Sequence, residues 1–362
     1  MYSYKNIKSV ELEISTFCNA ACPQCPRNIQ GGKTISNLPM INWTLEQLQS
    51  IFKIEFVKQL EMVYFCGTYG DPMTNNYIVE MCQWFKTINP KIKLGIHTNG
   101  GAGRTDTYKQ LATCVDFIAF GIDGLEDTNH LYRKNVIWSQ VLKNAQDFIE
   151  QGGHAVWDFI VFRHNQHQVD QAKQFSQDFG FKEFNVKKTG RFFNKAHQLV
   201  DKVDVLATDG SFEYIIEPPT DKNYLNNAYD HLSQVDFKDY VRETKITCYW
   251  RKNHMIYIGA DGHVFPCGFL HDRLYGQEAE STVDHKKILD WMDDIGGADL
   301  SNAFSTDLAD IIEGKWFKKI QSSWHDDRLE RCGLLCGDRI NLLSPQNSTI
   351  KYKKDLISKD PK

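Results

Sequence analysis

Residues 11–27 read "ELEISTFCNAACPQCPR", an alternating run followed by Cys18, Cys22 and Cys25 in a C-x3-C-x2-C spacing. The period-2 start is the pattern of a strand, so the thiols fall on the loop leaving its C-terminal end. Three thiols within eight residues exceed what a loop needs for packing. They are also one short of the four protein ligands that a structural zinc usually takes. The stretch raises two questions: which sheet this strand belongs to, and what completes the ligand set.

Outward from it, short runs rich in β-branched and aromatic residues recur at 10–15, 62–66, 92–97, 115–122, 154–162 and 183–188. They alternate with helical periodicity at 43–60, 76–88, 105–113, 138–151 and 167–179. Strand and helix in alternation, about six times over, imply an α/β fold with a parallel sheet, open or closed into a partial barrel. In such sheets the chemistry sits at the C-terminal ends of the strands. Residues 1–188 are expected to form this unit and 189–247 a less regular bridge. Residues 248–340, with a hairpin-like "CYWRKNHMIYIGADGHVFPCGF" and two helical runs, read as a smaller α+β domain. The charged tail, 341–362, is expected to fray.

Composition narrows the class. The 362 residues are 41% hydrophobic, and 42 basic against 46 acidic residues give a formal charge of −4. With no basic surplus, nothing argues for nucleic acid as a partner. No apolar run approaches the roughly 18 residues of a membrane span. The first 15 residues lack an apolar signal core, so a cytoplasmic location is expected. Without a secretion signal, the ten cysteines point to metal ligation or catalysis where they cluster rather than to disulfides. The isolated Cys66, Cys82 and Cys114 read first as small core residues.

A cubane iron–sulfur cluster on three thiolates leaves one iron open to a small molecule, and thiolate ligation suits such a cluster. Here the sequence resembles the radical S-adenosylmethionine (radical SAM) superfamily, whose CxxxCxxC at the end of a first strand matches Cys18, Cys22 and Cys25. The resemblance implies a partial (β/α)6 TIM-type barrel. It also implies a [4Fe-4S] cluster whose open iron binds S-adenosylmethionine and cleaves it reductively to methionine and a 5′-deoxyadenosyl radical. "CGTYGDPMTN" after the second strand resembles the family's Gly-Gly-Glu-Pro segment, with Gly70, Asp71 and Pro72 in register and Asp71 standing where the family has Glu. "HTNGG" resembles its Thr-Asn-Gly strand end, which assigns Asn99 to the cofactor floor. "FGIDGLEDTNHLYRK" is similar to its Ser-x-Asp-Gly…His…Arg segment. That match gives Arg133 the cofactor carboxylate and Asp123 the ribose or substrate side, and leaves Gly121 where the family has serine. Asn165, after the fifth strand, is placed near the adenosine.

Cys248, thirteen residues, Gly262, four residues and Cys267 resemble the opening of the SPASM and twitch auxiliary-cluster domains; Cys332 and Cys336 then follow a helix. Four thiolates make one complete auxiliary [4Fe-4S] cluster of the shorter twitch type, although the closing C-x3-C is looser than the expected C-x2-C. Zinc is the competing occupant of a four-cysteine set. It carries the alternative reading of the chain as a non-catalytic, zinc-stabilised interaction module.

The resemblance implies hydrogen abstraction from a substrate, ending in oxidation, epimerisation or cross-link formation. The auxiliary cluster would serve electron transfer, and an electron donor such as flavodoxin or ferredoxin would reduce the first. Cys66 is the candidate hydrogen-atom donor for epimerisation. The early start of the barrel favours a small-molecule substrate, or a peptide delivered by a separate protein; a peptide-modifying maturase is the alternative. Lys187, Lys188 and Arg191 form a candidate anion-receiving rim, and Trp250, Arg251 and His254 are expected near the barrel mouth.

Overall fold

The computed structural model describes residues 1–194, 198–276, 282–342 and 348–353. Six strands, β1 (Ser9–Leu12), β2 (Met62–Phe65), β3 (Lys93–Thr98), β4 (Phe117–Gly121), β5 (Ala155–Val161) and β6 (Glu183–Lys188), pair in sequence order. All five pairings are parallel. Helices Ile78–Ile88, Trp138–Glu150 and Val169–Phe179, with shorter ones at Leu45–Ile51, Ile54–Gln59 and Thr107–Leu111, make the returns. This is a largely parallel mixed α/β sheet, the partial TIM barrel that the alternation predicts.

Period-2 alternation sorts the strand residues onto two faces. Val10, Leu12, Val63, Phe65, Leu94, Ile96, Ile118, Phe120, Trp157, Phe159, Phe184 and Val186 are at most 2% exposed and pack under the helices. The other face, turned into the barrel, carries Glu11, Tyr64, His97, Asp158, Asn185 and Lys187. The Tyr64 and Phe117 rings stack there, centroids 5.9 Å apart.

Beyond β6 the structure departs from the sequence expectation. The bridge contains a two-stranded antiparallel sheet, β7 (Val203–Leu206) and β8 (Phe212–Ile216), ahead of helices Ala228–Leu232 and Phe237–Glu243. The hairpin of the C-terminal unit is not separate from the barrel. Its first strand, β9 (Met255–Ile258), pairs parallel with β1, and β10 (Val264–Phe265) folds back on β9. The tail contributes β11 (Thr349–Lys353), antiparallel to β6; residues 354–362 of the expected frayed segment lie outside the described residues. The reason is common to both ends. Edge strands β1 and β6 expose unpaired backbone groups, and these later segments cover them. Among the described residues, no helix is long and apolar enough to cross a membrane.

Candidate active site

β1 runs directly into the cysteine loop, and the loops after β2 and β3 fold over it. Cys25 Sγ lies 3.9 Å from the Thr68 carbonyl, and Asn99 Nδ2 lies 3.7 Å from Cys18 Sγ and 2.9 Å from Asn19 Oδ1. Cys22 is buried, and Cys18 and Cys25 are half-buried. Burial pushes the Cys22 thiol up to about 11, opposed by the Arg133 guanidinium, and Cys18 and Cys25 are raised by burial too. Such thiolates need a cationic partner. Three of them in one half-closed loop are a donor set that fits a cluster with an open iron.

The "GTYGDP" loop is held by two carboxylates. Asp71, almost fully buried, accepts from Thr98 Oγ1 at 2.9 and 3.0 Å, from the Asn99 amide at 2.8 Å and from the Met73 amide at 3.0 Å. It thus ties the loop after β2 to the end of β3, which is a structural use for the shorter side chain standing in place of Glu. Glu13 does the rest. Its Oε1 accepts the Tyr69 and Gly70 amides at 2.6 and 2.8 Å, and its Oε2 accepts the Tyr257 hydroxyl at 2.7 Å. Gly70 is required by close approach, because a Cβ there would lie 1.8 Å from the Ser15 carbonyl oxygen. Burial raises the Glu13 carboxyl, opposed by His271, which is paired with Asp261 at 2.9 Å. Sequence reading passed over Glu13. The available signal is an acidic residue on the inward face of a strand, two positions after Glu11.

Arg133 and Asp123 meet as an ion pair, Nε to Oδ2 at 2.6 Å, with Arg133 Nη1 3.9 Å from Cys22 Sγ. Asp123 is fully buried and its other oxygen accepts the Ile160 amide at 2.6 Å. The structure thus places Asp123 between the Arg133 guanidinium and the Ile160 amide. Asn165, expected near the adenosine, is also fully buried. Its amide is committed to the Phe162 amide, the Asp123 carbonyl and the Ile160 carbonyl, and so braces the same loop. Gly121 has a reason to lack the family's serine: a Cβ there would lie 2.5 Å from Arg133 Nη2. Gly121→Ala is accordingly expected to displace the guanidinium and weaken S-adenosylmethionine binding at least about tenfold, with the protein's melting temperature little changed. Equilibrium binding beside a melting curve checks this. Cys66 is half-buried on the inward face beyond β2, its thiol raised by burial and by Glu11 and Glu13.

The second group assembles from three places. Cys248 and Cys267 immediately precede helices Tyr249–Lys252 and Gly268–His271, while Cys332 and Cys336 lie on the helix Glu330–Cys336. Residues i and i+4 share a helix face, so the C-x3-C spacing directs both thiols to one side. All four line one apolar cavity walled by Trp250, Leu270 and Trp324. Cys336 bonds to Cys248, which lowers the Cys248 thiol and raises its partner. The set fits a cluster in number and kind. Among the described residues, no group of three or more His, Cys, Asp or Glu side chains is arranged to hold a single metal ion. Of the rim residues, Lys187 reaches Asp158 at 3.4 Å, Lys188 bonds Asn227 at 3.3 Å, and Arg191 bonds the Gln24 carbonyl at 2.6 Å. Trp250 Nε1 donates to Glu11 at 2.9 Å, and the Arg251 guanidinium lies over the Trp324 ring. His254 sits in a left-handed turn, and its carbonyl accepts the Lys8 and Ser9 amides.

Residues 12–174 match the Radical SAM superfamily, a span that runs from the last residue of β1 through β5 and takes in all three cysteines of the first loop, Asp71, Asn99 and Arg133. That stretch of the barrel, less than half of the chain, is similar to the radical SAM superfamily. Two solved structures share the fold. Streptococcus suis SuiB bound to the precursor peptide SuiA has a TM-score of 0.54 at 17% identity, covering 88% of this chain and 68% of that one. SuiB bound to S-adenosylmethionine has a TM-score of 0.50 at 16% identity, with 76% of this chain and 64% of that one covered. The chain thus spans about two thirds of SuiB's length. No curated protein matches the sequence.

Proposed function

We propose that this chain is a two-cluster radical SAM enzyme that abstracts a hydrogen atom from a substrate held in its barrel. Cys18, Cys22 and Cys25 would hold the open [4Fe-4S] cluster, and Cys248, Cys267, Cys332 and Cys336 a closed auxiliary one. The observation that carries the reading is the convergence of the loops after β1, β2 and β3 with Arg133 on the first three thiols. When bound, the cluster and S-adenosylmethionine supply reductive cleavage and the 5′-deoxyadenosyl radical. The chain's own residues do the holding. Arg133, oriented by Asp123, offers a planar fork to the cofactor carboxylate, and Glu13 and Asp71 set the loop whose backbone faces the methionine amine. The wall between the barrel interior and the auxiliary cavity is the Trp250 indole, bonded to Glu11 on one side. That contact supports electron transfer from a substrate radical as the auxiliary cluster's part.

The test is anaerobic reconstitution followed by dithionite and S-adenosylmethionine. Formation of 5′-deoxyadenosine is expected. A protein that takes up zinc, stays colourless and leaves the cofactor intact would instead be the non-catalytic module.

A further inference from the structure

Parallel barrels usually fill their interior with branched apolar side chains. This one does not. Beside Phe117, Ala119 and Ile160, its inward positions carry Glu11, Tyr64, His97, Asp158, Asn185 and Lys187, and the His97 and Lys187 side chains keep 37% and 34% of their surface accessible. They line a space instead of filling it. Charged groups in that position contribute poorly to stability, which marks the space as a binding site.

The hydrogen-bond balance of the space is lopsided. Asp158 Oδ1 accepts from Asn185 Nδ2 at 2.8 Å, but its Oδ2 has only Lys187 Nζ at 3.4 Å and His97 Nε2 at 3.9 Å. Asn185 is 7% exposed, and its Oδ1 has no partner among the described residues. Exchanging the amide's oxygen and nitrogen would not help, since it would set oxygen against the Asp158 carboxylate. On the opposite wall, Glu11 bonds Trp250 through one oxygen and has no ion-pair partner among the described residues. Burial pushes the Glu11 carboxyl up to about 7, as expected of an acid with no cation beside it. His97 is pushed down to about 4 by burial and is neutral near pH 7. Among the described residues, two carboxyls and an orphan amide oxygen therefore face Lys187, while Arg133, which also acts on His97, is already paired with Asp123. What is missing is a donor with positive charge.

We propose that the substrate is anchored in this space through a protonated amine that donates to Asn185 Oδ1 and is balanced by Asp158 and Glu11. The inference rests on the radical SAM reading for its substrate site, and it narrows that substrate to alkylamines. The same ammonium is offered by a free small molecule or by a lysine side chain in a peptide, and the experiment has an arm for each.

Isothermal titration of the holoprotein, both clusters reconstituted and S-adenosylmethionine present, uses four probes: 1,4-diaminobutane, Gly-Lys-Gly blocked at both ends, succinate and 1,4-butanediol. Binding of an amine probe at least tenfold tighter than of succinate and butanediol is expected. Tighter binding of the diamine points to a small molecule, and tighter binding of the peptide to a lysyl side chain. Asp158→Asn and Glu11→Gln should each weaken the amine at least fivefold, with iron content and circular dichroism unchanged. Equal binding of butanediol or succinate, no binding of either amine, or unchanged affinity in both variants overturns the proposal. Substrate-free 5′-deoxyadenosine formation on the same preparation keeps such a failure distinct from failure of the radical SAM reading.

Discussion

Cys22→Ala, reconstituted anaerobically, is expected to carry about four irons per chain in place of about eight and to form no 5′-deoxyadenosine. Cys332→Ala should lose iron only from the auxiliary set and still cleave S-adenosylmethionine, because the first loop's three thiols do not depend on the helix Glu330–Cys336. The asymmetry follows from placement. The first three thiols sit on one loop anchored by β1, whereas the other four come from three separate segments around one cavity. Removing one of three ligands leaves too few to hold a cluster that must also keep an iron open. Iron and sulfide counts with product analysis on both variants check the pair of outcomes. Loss of all iron in either one would contradict two separate sites.

The second large effect is expected at Glu13, a residue outside both cysteine sets. Glu13→Leu leaves the buried Tyr69 amide and the part-buried Gly70 amide without their acceptor. An unpaired buried donor costs about 1–3 kcal/mol, so a loss of at least about 1–3 kcal/mol in stability is expected. The loop that those amides belong to should also drift from the cofactor, raising the KM for S-adenosylmethionine at least about tenfold. Glu13→Gln is the informative control. Its carbonyl can still accept both amides, and its amino group can face the Tyr257 hydroxyl, so most of the binding should return. A purely structural role would move the melting temperature in step with KM across both variants. If Gln restores stability without restoring KM, the positioning role is wrong.

Much of the barrel was legible because its signals are local. The alternation at β1 to β6 and the helical runs between them need no distant partner to be recognised. The cysteine loop, Asp71, Asn99 and Arg133 each follow a strand, where parallel sheets place their chemistry. Asp123 and Asn165 were noticed for their position, but their buried partners were not legible. Both follow strands, but burial decides whether a polar atom faces a ligand or a neighbouring amide, and burial is not a local property. Gly121 shows the converse: its departure from the family's serine gained an explanation only when Arg133 was seen lying over it.

The sequence by itself determined the strand–helix alternation of the barrel, the three-thiol set and the existence of a second, four-thiol set, because period, spacing and residue type carry those directly. Only the tertiary structure decided that β9 and β11 cover the edges of the barrel sheet. It also showed that C-x3-C works as one face of a helix, that Glu13 holds the loop after β2, and that the barrel interior is short of a cationic donor. Each of these depends on which distant groups share a buried space, where an unmatched hydrogen bond or charge is costly, and no local pattern encodes that pairing.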